Sequence, residues 1–467
     1  LARAPALARG ALDRMQAIGR SLRDRAAQPD SLVTRLQDFV TRADDLAAAR
    51  IRAYTLADEW KESRRDTLHL CLHATRAGLL DFSWDLVCPH CRGAKPGDTG
   101  LDSVRSTAHC DSCDVDFAAN FDQSVELTFR PNAAIRPIER PQYCIGGPQV
   151  TPHIVAQQRI AAGARCTLPL ALEAGRYRVR AARIPEQHAF HVENRGAGSV
   201  RVDLGATSLR EPAVAPDGEL VIVNATGTDD LVMVERLAWS DQATTAAEVT
   251  SLQLFRDLFS REVLRPGEQI SVGTMTIVFT DLKNSTQLYQ EIGDAPAFGR
   301  VLTHFEILKV VVATENGAIV KTMGDAIMAV FPRPVAAVRA MVRAQRWLAH
   351  PQDFAWPSGV TVPPSSLKPL ALKAGIHCGP CLAINQNERL DYFGTTVNVT
   401  ARLCGLCTGT DLVLSDVVYA DSEVASELAA RRDDGLAIAA EKTRLKGFGA
   451  AEFEVWRAVN GRGRSGD

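Results

Sequence analysis

The sequence predicts a multidomain protein with a helical N-terminal part, a central all-β part and a C-terminal α/β domain. The chain has 467 residues, which is too long for a single hydrophobic core. Its apolar residues recur at helical spacing near the start and alternate in short runs through the middle. Further on, buried strand-like runs alternate with helical patterns, as expected for an α/β layer structure.

The composition excludes several classes of protein. Hydrophobic residues make up 46% of the chain and charged residues 23%, which is ordinary for globular domains. The net charge of −2 indicates no global attraction to nucleic acid or to an anionic membrane. We find no apolar run of the about 18 residues that a bilayer-spanning helix needs, so we expect no membrane partner.

Changes of pattern along the chain predict the domain boundaries. They are N-terminal helices at 1–50, a winged-helix-like segment at 51–87, a cysteine-rich segment at 88–120, a β-sandwich at 121–240, a coupling helix and linker at 241–270, the α/β domain at 271–460 and a disordered tail at 461–467. The winged-helix resemblance depends on two helices joined by a tight turn and followed by an extended segment. The coupling helix is predicted from an apolar stripe at helical spacing, Val249, Leu252, Phe255 and Phe259.

The chain has 11 cysteines, most of them in C-x-x-C pairs. An odd number in a long chain fits a reducing compartment, so we expect a cytoplasmic protein. The first two pairs stand at the spacing of a zinc ribbon: Cys88, Cys91, Cys110 and Cys113. Four thiolates make a closed tetrahedral site, which predicts one structural Zn²⁺ per chain.

Two later pairs have a similar spacing, Cys378 with Cys381 and Cys404 with Cys407. They fall on a predicted sheet strand and on a predicted helix, where small buried thiols are common. We therefore interpret them as core residues and not as a second metal or redox site.

Two acidic residues in the α/β domain suggest a metal site. Asp281 follows an apolar strand, and Asp325 lies in the turn of a tight hairpin. If those strands are neighbours, two carboxylates project together, and carboxylate oxygens are ligands for Mg²⁺ or Mn²⁺. On spacing alone, a helix cap at Asp281 and a turn former at Asp325 explain the pattern equally well.

The loop after Asp281 is a candidate phosphate cradle. Asn284, Ser285 and Thr286 open a predicted helix. Helix N-termini present unpaired backbone N–H groups and a positive dipole end to phosphates.

Five separated segments together resemble the class III adenylate/guanylate cyclase catalytic domain. They are Phe279 to Thr286, Val320 to Asp325, Gly375 to His377, Asp391 to Arg402, and Leu445 to Gly447. The resemblance covers about 273–458 and implies a ferredoxin-like α/β fold. It also implies that ATP or GTP is the substrate and that two Mg²⁺ or Mn²⁺ ions act in each active site.

The resemblance assigns roles residue by residue. Asp281 and Asp325 match the two metal-binding aspartates. Lys321 and Asp391 match the pair that reads the base, and Lys with Asp implies adenine, because guanine reverses the donor and acceptor pattern. A surface lysine and a turn aspartate are the alternative interpretation.

The remaining matches concern the ribose and the phosphates. Asn398 and Arg402 match the pair that holds the ribose and stabilises the transition state, and their spacing puts both on one side of a helix. Lys446 matches a triphosphate-binding lysine. Lys373 stands where some relatives have a phosphate-binding arginine, and it keeps the charge but loses the bidentate geometry.

The sequence departs from the family pattern at two positions. Asn284 replaces a frequent Gly, and Asn tolerates left-handed backbone better than other residues with a side chain. Thr395 replaces a frequent Asn, and we expect neither change to remove a functional atom.

In the family, the metal aspartates come from one catalytic domain and the base-reading, Asn and Arg residues from its partner. One catalytic domain per chain therefore implies a head-to-tail homodimer. The N-terminal half resembles an uncharacterised region found before some bacterial cyclase domains, which implies regulation by an unidentified ligand or protein. We thus expect an adenylate cyclase that makes cyclic AMP and pyrophosphate from ATP.

Two alternatives remain. One is a degenerate homologue that binds nucleotide without turnover. The other is a zinc-ribbon and winged-helix nucleic-acid-binding regulator with a non-catalytic nucleotide-sensing domain. The basic residues Arg64, Arg65, His69, His73 and Arg76 would form its DNA-reading face. Nearby acidic residues argue against nucleic acid as a partner: Asp58, Glu59, Glu62 and Asp66.

Overall fold

The structure is a computed structural model of the 467 residues. The residues that the structure describes are 6–88, 94–98, 100–110, 115–138, 154–181, 187–205, 212–236, 242–356, 368–432 and 436–460. Within these residues no helix combines the length and the apolar character that a membrane span requires.

The N-terminal part is helical, as predicted. Its helices are α1 (Ala11–Asp24), α2 (Asp30–Arg42), α3 (Asp45–Ala49), α4 (Ala53–Trp60) and α5 (Arg64–Arg76). The apolar face of α2 is buried, since Leu36 and Val40 are both fully enclosed. Lys61 ends α4 in a left-handed conformation, and the Ser63 side chain caps the start of α5.

A small antiparallel sheet follows the helices. Its strands are β1 (Leu80–Val87), β2 (Ala94–Asp98) and β5 (Val125–Pro131), in the order β2-β1-β5. The strands β3 (Thr107–Cys110) and β4 (Val115–Ala118) form a separate hairpin. The range predicted for the sandwich, 121–240, thus includes a strand of this sheet, because β5 pairs with β1 along the whole length of β5. The winged-helix resemblance stays a prediction.

The central part forms one sheet where we expected the two of a sandwich. Its strands are β6 (Ile154–Ile160), β7 (Arg165–Pro169), β8 (Gly175–Ala181), β9 (Gln187–Leu204), β10 (Ala213–Asn224) and β11 (Asp230–Arg236). The order is β6-β11-β8-β9-β10-β7. The physical reason is the length of β9, whose first half pairs with β8 and whose second half pairs with β10. Side chains of these strands share one apolar core.

The predicted coupling helix is two short helices, α6 (Ala246–Thr250) and α7 (Gln253–Leu258). The break falls at Ser251, whose hydroxyl donates to the Glu248 carbonyl at 2.6 Å and so competes with the helical ladder. Phe255 is buried, as the apolar stripe predicted. We call residues 244–259 the coupling segment.

The C-terminal part is an α/β domain, as predicted. Its strands are β12 (Gln269–Leu282), β13 (Ala318–Met323), β14 (Ala326–Phe331), β15 (Leu372–Gln386), β16 (Arg389–Phe393), β17 (Asp411–Ser415), β18 (Leu436–Arg444) and β19 (Glu452–Asn460). Its helices are α8 (Ser285–Ile292), α9 (Asp294–Thr314), α10 (Pro334–Ala349), α11 (Thr395–Leu406), α12 (Asp416–Tyr419) and α13 (Ser422–Arg432). The order β13-β14-β12-β15, with α9 and α10 as the connections, is the ferredoxin-like arrangement that we expected.

The two faces of the C-terminal sheet belong to different cores. Val278 packs with the apolar residues of α9 and α10. Its neighbour Ile277 points to the other face and packs in a core that also contains Trp84 and Phe255. The N-terminal part and the coupling segment therefore cover one face of the sheet that bears the candidate site.

Candidate active site

The two candidate metal-binding aspartates lie at the same edge of the C-terminal sheet. Asp281 stands near the end of β12, and Asp325 lies in the turn between β13 and β14. Because Thr280 of β12 pairs with Ile327 of β14, that turn lies beside the end of β12. The strand register thus brings together two residues that are separated by a long helix in sequence.

Lys373 lies directly opposite Asp281 on β15. Its Nζ donates to the Asp281 Oδ2 at 2.9 Å. This hydrogen bond raises the pKa of Lys373; partial burial lowers it, and the charges of Asp281 and Asp325 raise it further. One ammonium group thus lies within electrostatic reach of both aspartates.

The donor set fits a divalent metal ion. The Asp325 Oδ2 is buried and has no hydrogen-bond partner among the described residues. A buried carboxylate oxygen without a donor is costly unless a cation or a donor reaches it. Described residues contain no cluster of three or more His, Cys, Asp or Glu ligands. Two aspartates would leave the other coordination positions to water and substrate phosphates, as is usual for Mg²⁺.

His304 is a neighbour of this site that the sequence analysis missed. It is fully buried on α9, and its Nδ1 contacts the Val301 carbonyl oxygen at 3.1 Å. Burial lowers its pKa to about 4 although the nearby Asp325 opposes the shift, so the ring is neutral at pH 7. Its Nε2 has no partner within the described residues. The available signal was a histidine inside an otherwise apolar helical run.

The phosphate loop has the predicted backbone. Asn284 adopts a left-handed conformation with φ of 57° and precedes the first turn of α8, which contains Ser285 and Thr286. The expectation that Asn replaces Gly without breaking this turn is thus confirmed. No residue of α8 is fully buried, and the N-terminus of a helix presents unpaired backbone N–H groups that can bind a phosphate.

The candidate base-reading residues form an ion pair within one chain. Lys321 of β13 and Asp391 of β16 form an ion pair with an Nζ to Oδ2 distance of 2.6 Å. The Asp391 side chain is only 6% exposed, and that of Lys321 is 32% exposed. The second oxygen of Asp391 accepts a hydrogen bond from the Tyr392 backbone N–H at 2.8 Å.

Helix α11 presents the predicted Asn and Arg to the surface. Asn398 and Arg402 are both exposed and one turn apart. The helix lies close on β15, since a side chain at Gly375 would come within 2.2 Å of the Cys404 backbone nitrogen. The glycine of the Gly375-Ile376-His377 segment is therefore required by the approach of this helix.

Lys446 lies in the loop between β18 and β19 and is exposed. Its neighbour Leu445 is buried in a cluster with Val399 and Leu403 of α11. The loop that carries Lys446 is thus anchored to the helix that carries Arg402.

The later cysteine pairs are buried core thiols, as predicted. Cys378, Cys381, Cys404 and Cys407 are all buried. Burial raises the pKa of Cys381 and of Cys407 to about 12, so these thiols stay protonated at neutral pH.

The zinc-ribbon prediction concerns four cysteines, of which Cys91 and Cys113 lie outside the described residues. Cys88 and Cys110 are both buried in one small cluster with Phe117. Cys110 ends β3 at the tip of the hairpin. The structural zinc stays a prediction.

Basic residues of α5 take part in internal contacts. Arg64 makes two hydrogen bonds to the Asp58 carboxylate, at 2.9 and 2.8 Å. Arg65 donates to the Ala313 carbonyl of α9 at 3.0 Å. Burial lowers the pKa of His69 to about 4, so this ring is neutral at pH 7.

Two family models match the chain. Residues 268–444 match the adenylate and guanylate cyclase catalytic domain. Residues 13–143 match a family of unknown function, DUF5939. The resemblance noted in the sequence is thus supported for a class III cyclase catalytic domain at 268–444, and residues 13–143 are similar to a family without an assigned function.

Several adenylate cyclases are similar to a part of this chain. An adenylate cyclase of Lachancea kluyveri is 33% identical over 174 residues, which are 34% of this chain and 9% of the relative. Adenylate cyclase 1 of Rhizobium meliloti is 28% identical over 152 residues, 31% of this chain and 23% of the relative. This chain therefore spans less than a quarter of the length of either relative.

Solved cyclase structures are also similar to a part of this chain. The adenylyl cyclase CyaB from P. aeruginosa is 19% identical, with a TM-score of 0.31, and the overlap covers 42% of this chain and 97% of that one. Adenylate cyclases from Trypanosoma brucei in their monomeric state are 21% identical, with a TM-score of 0.33, covering 42% and 91% of the respective chains.

Proposed function

We propose that this protein is an adenylate cyclase, which converts ATP to 3′,5′-cyclic AMP and pyrophosphate. The observation that carries the choice of substrate is the ion pair between Lys321 and Asp391, inside the part that matches the cyclase catalytic domain. A lysine can donate to adenine N1, and a carboxylate can accept from the 6-amino group. Guanine has a carbonyl and an N–H at these positions, so the same pair would face mismatched groups.

Asp281 and Asp325 would hold two Mg²⁺ or Mn²⁺ ions, which supply Lewis-acid stabilisation of the charge on the phosphates. The buried Asp325 Oδ2, which has no hydrogen-bond partner among the described residues, supports this role. The Lys373 ammonium group on Asp281 also supports it, since it occupies a position where a cation is favourable. Lys373 would move from Asp281 to a phosphate oxygen when substrate binds. Asn284, Ser285 and Thr286 at the start of α8 would cradle the triphosphate, with Lys446 as a further cation.

The reaction would be a single in-line displacement. The ribose 3′ oxygen forms a bond to the α-phosphorus while the bond from that phosphorus to the bridging oxygen breaks. The hydroxyl proton passes to solvent, and pyrophosphate leaves. Asn398 would hold the ribose, and Arg402 would stabilise the charge that builds on the α-phosphate oxygens. Holding both ends of one substrate supplies much of the rate.

We further propose that the active form is a head-to-tail homodimer. Asn398 and Arg402 are exposed, and their side chains have no hydrogen-bond partner among the described residues. Large apolar side chains next to the motifs are also exposed, as expected of a surface that a second copy covers: Phe298, Leu302, Met323 and Phe393. In such a dimer one protomer supplies the two aspartates, and its partner supplies the base-reading pair with Asn and Arg.

A mixing experiment tests this arrangement. Asp325→Ala and Arg402→Ala should each be inactive as homodimers. When the two variants are refolded together or co-expressed in equal amounts, half of the dimers should contain one copy of each variant. Each of these mixed dimers should have one intact site of two. The mixture should then regain about a quarter of wild-type cyclic AMP formation.

A mixture without activity would exclude the shared site, provided that mixed dimers form. Two affinity tags, one on each variant, make it possible to isolate them. Incubation of the wild type with ATP or GTP and with Mg²⁺ or Mn²⁺, followed by product identification, tests the reaction itself. Formation of neither cyclic nucleotide under any of these conditions would reject the proposed activity.

The N-terminal region would then be regulatory, with the zinc of Cys88, Cys91, Cys110 and Cys113 in a structural role. Metal analysis of the purified protein tests the zinc. A cysteine-to-serine pair at Cys88 and Cys110 should lose one equivalent of Zn²⁺ and destabilise the fold. A protein that contains no zinc when purified without chelators would reject the ribbon.

A further inference from the structure

The candidate base-reading residues lie on β13 and β16, and the coupling segment forms hydrogen bonds to both of these strands. Tyr392, which follows Asp391, donates from its hydroxyl to the Thr250 Oγ1 at 2.9 Å. Leu390, which precedes Asp391, accepts a hydrogen bond from Arg256 Nη1 at 3.0 Å. The coupling segment thus bonds to the residues on both sides of the buried carboxylate.

Arg256 is fixed in place by three contacts. Besides the Leu390 carbonyl, its Nε donates to the Thr250 carbonyl at 2.8 Å. Its guanidinium also lies over the Tyr392 ring, 5.4 Å from the ring centre. An arginine bound on three sides fixes the position of β16 against α7 at the point where Asp391 stands.

The lysine of the pair is held in a similar way. Gln253 Oε1 accepts a hydrogen bond from the Ile319 backbone N–H at 2.8 Å. The register of β13 against β14 shifts between Ile319 and Lys321, so the regular ladder is interrupted there. The amide of Gln253 satisfies a backbone donor at this irregularity, two residues before Lys321.

The interface around these two side chains contains an open space. A cavity of about 320 Å³ lies between α7 and the strands β13 and β16. Gln253 and Arg256 line it on one side, and Val320 and Leu390 on the other. Gln253 and Arg256 therefore make their hydrogen bonds to the strands at the wall of this cavity.

The coupling segment is in turn bound to the N-terminal region. The Leu127 N–H donates to the Thr244 carbonyl at 2.8 Å, and the Ala247 N–H donates to the Phe121 carbonyl at 3.1 Å. Trp84 packs edge-on against Phe255, with 5.8 Å between ring centres. A displacement of the N-terminal region would therefore be transmitted to α6 and α7.

We propose that Gln253 and Arg256 are positioning residues for the base-reading pair, through which the N-terminal region controls recognition of the adenine base. This inference rests on the proposed function of Lys321 and Asp391. It differs from general coupling because it assigns the effect to base selection and not to metal binding or to the chemical step.

The test uses full-length Gln253→Ala, Arg256→Met and Arg256→Lys variants. Binding of the α,β-methylene analogues of ATP and GTP is measured by calorimetry, and kcat and KM are measured with ATP and GTP. Arg256→Met should weaken the binding of the ATP analogue about tenfold and raise the KM for ATP about tenfold. The preference for ATP over GTP should fall by a similar factor, with kcat much less affected. Arg256→Lys should restore part of the preference, and Gln253→Ala should act in the same direction with a smaller effect.

Arg261→Met is the matched control. Arg261 lies three residues beyond the end of α7, and its side chain is exposed. This variant should keep both the affinity and the preference of the wild type. Mn²⁺ affinity, followed by electron paramagnetic resonance, should be unchanged in all variants.

The inference is overturned if folded Arg256→Met and Gln253→Ala proteins keep the wild-type preference for ATP over GTP. It is also overturned if they lose kcat equally for both nucleotides, which would indicate a merely structural role. Failure of the proposed function is recognised separately, because the wild type would bind the analogues and form no cyclic nucleotide. In that case the preference of the variants for the ATP analogue over the GTP analogue decides the inference. A wild-type protein that binds both analogues equally would overturn it.

Discussion

The catalytic domain contains two lysine–aspartate ion pairs of similar length in different surroundings. The pair of Lys373 and Asp281 is open to solvent, with side chains 26% and 37% exposed. The pair of Lys321 and Asp391 includes a carboxylate that is only 6% exposed. The coupling segment also forms a hydrogen bond to β16, the strand that carries Asp391. The pair of Lys373 and Asp281 is held in register by the pairing of β15 with β12.

The difference indicates two different tasks for the same chemistry. An exposed ion pair contributes little stability and is readily exchanged for other ligands. A buried carboxylate keeps its partner, because leaving it unpaired costs several kcal/mol. We expect the first pair to separate when substrate arrives, with Asp281 going to metal and Lys373 to phosphate. We expect the second pair to stay in place and to read the base as a unit.

The largest effect on activity should come from the candidate metal-binding aspartates. Asp325→Ala removes a carboxylate whose buried oxygen has no partner in the part of the chain that the structure describes. Cyclic AMP formation should fall about a thousandfold or more, since bound metal contributes several kcal/mol. The thermal unfolding temperature should change little, and Asp294→Ala, at an exposed position in the same domain, is the control. Turnover close to that of the wild type would show that Asp325 binds no catalytic metal.

The base-reading pair gives the next effect. Lys321→Glu together with Asp391→Cys reverses the donor and acceptor pattern, so the kcat/KM preference for ATP over GTP should fall about a hundredfold, the value of two charge-assisted hydrogen bonds. Lys442→Glu, at an exposed position on β18, controls for the change of charge. If the double variant keeps the ATP preference, the base is read by other residues.

A smaller effect should separate the two ion pairs directly. In Lys373→Met, Asp281 is no longer neutralised, so Mn²⁺ should bind about fivefold more tightly without nucleotide, the value of a strong exposed pair. The KM for ATP should rise at the same time, because a phosphate contact is lost. Paramagnetic resonance measures the first quantity and steady-state kinetics the second. Lys368→Met is the exposed control, and an unchanged Mn²⁺ affinity in Lys373→Met would mean that the lysine does not compete with metal.

The smallest effect concerns the support behind the base-reading pair. The Tyr54 hydroxyl donates to the Glu248 carboxylate in the coupling segment, and burial raises the pKa of Glu248 above its usual 4.5. The folded protein thus holds this proton more tightly than the unfolded chain does. The protonated Glu248 therefore contributes to the stability of the folded protein below pH 4.5, and this contribution is lost as the pH rises through the raised pKa of Glu248.

Glu248→Gln lacks this titration. The unfolding temperature of the variant minus that of the wild type should therefore increase as the pH rises from 4 to 7. Glu59→Gln, at an exposed position on α4, should show no such trend. A constant difference for Glu248→Gln over this range would mean that the carboxylate is ionised in the folded protein without cost.

Some features followed from short-range pattern. The αL conformation of Asn284, the turn that carries Asp325 and the spacing of Asn398 and Arg402 on α11 each depend on a few neighbouring residues. Local backbone preference and helical periodicity decide them, so the sequence predicted them well. The burial of Cys381 and Cys407 followed from their places on a strand and a helix.

Other features depended on contacts between distant segments and were missed or wrong. The central part is one sheet because β9 is long enough to pair with β8 through its first half and with β10 through its second half. The alternation of apolar and polar residues along β9 does not reveal these partners. The coupling helix is broken because Ser251 bonds to the backbone instead of extending the helix. Periodicity records which side of an element is buried and carries no information on what buries it.

The sequence by itself determined the kinds of chemistry present: carboxylates at strand ends, a helix start for phosphates and an Asn–Arg pair one turn apart. Only the tertiary structure decided which charges meet before substrate arrives. Lys373 stands opposite Asp281 because β15 pairs with β12 in one register, and Arg256 reaches β16 because two distant segments pack together. Such pairings depend on the fit of whole surfaces, so they could not be read from local spacing.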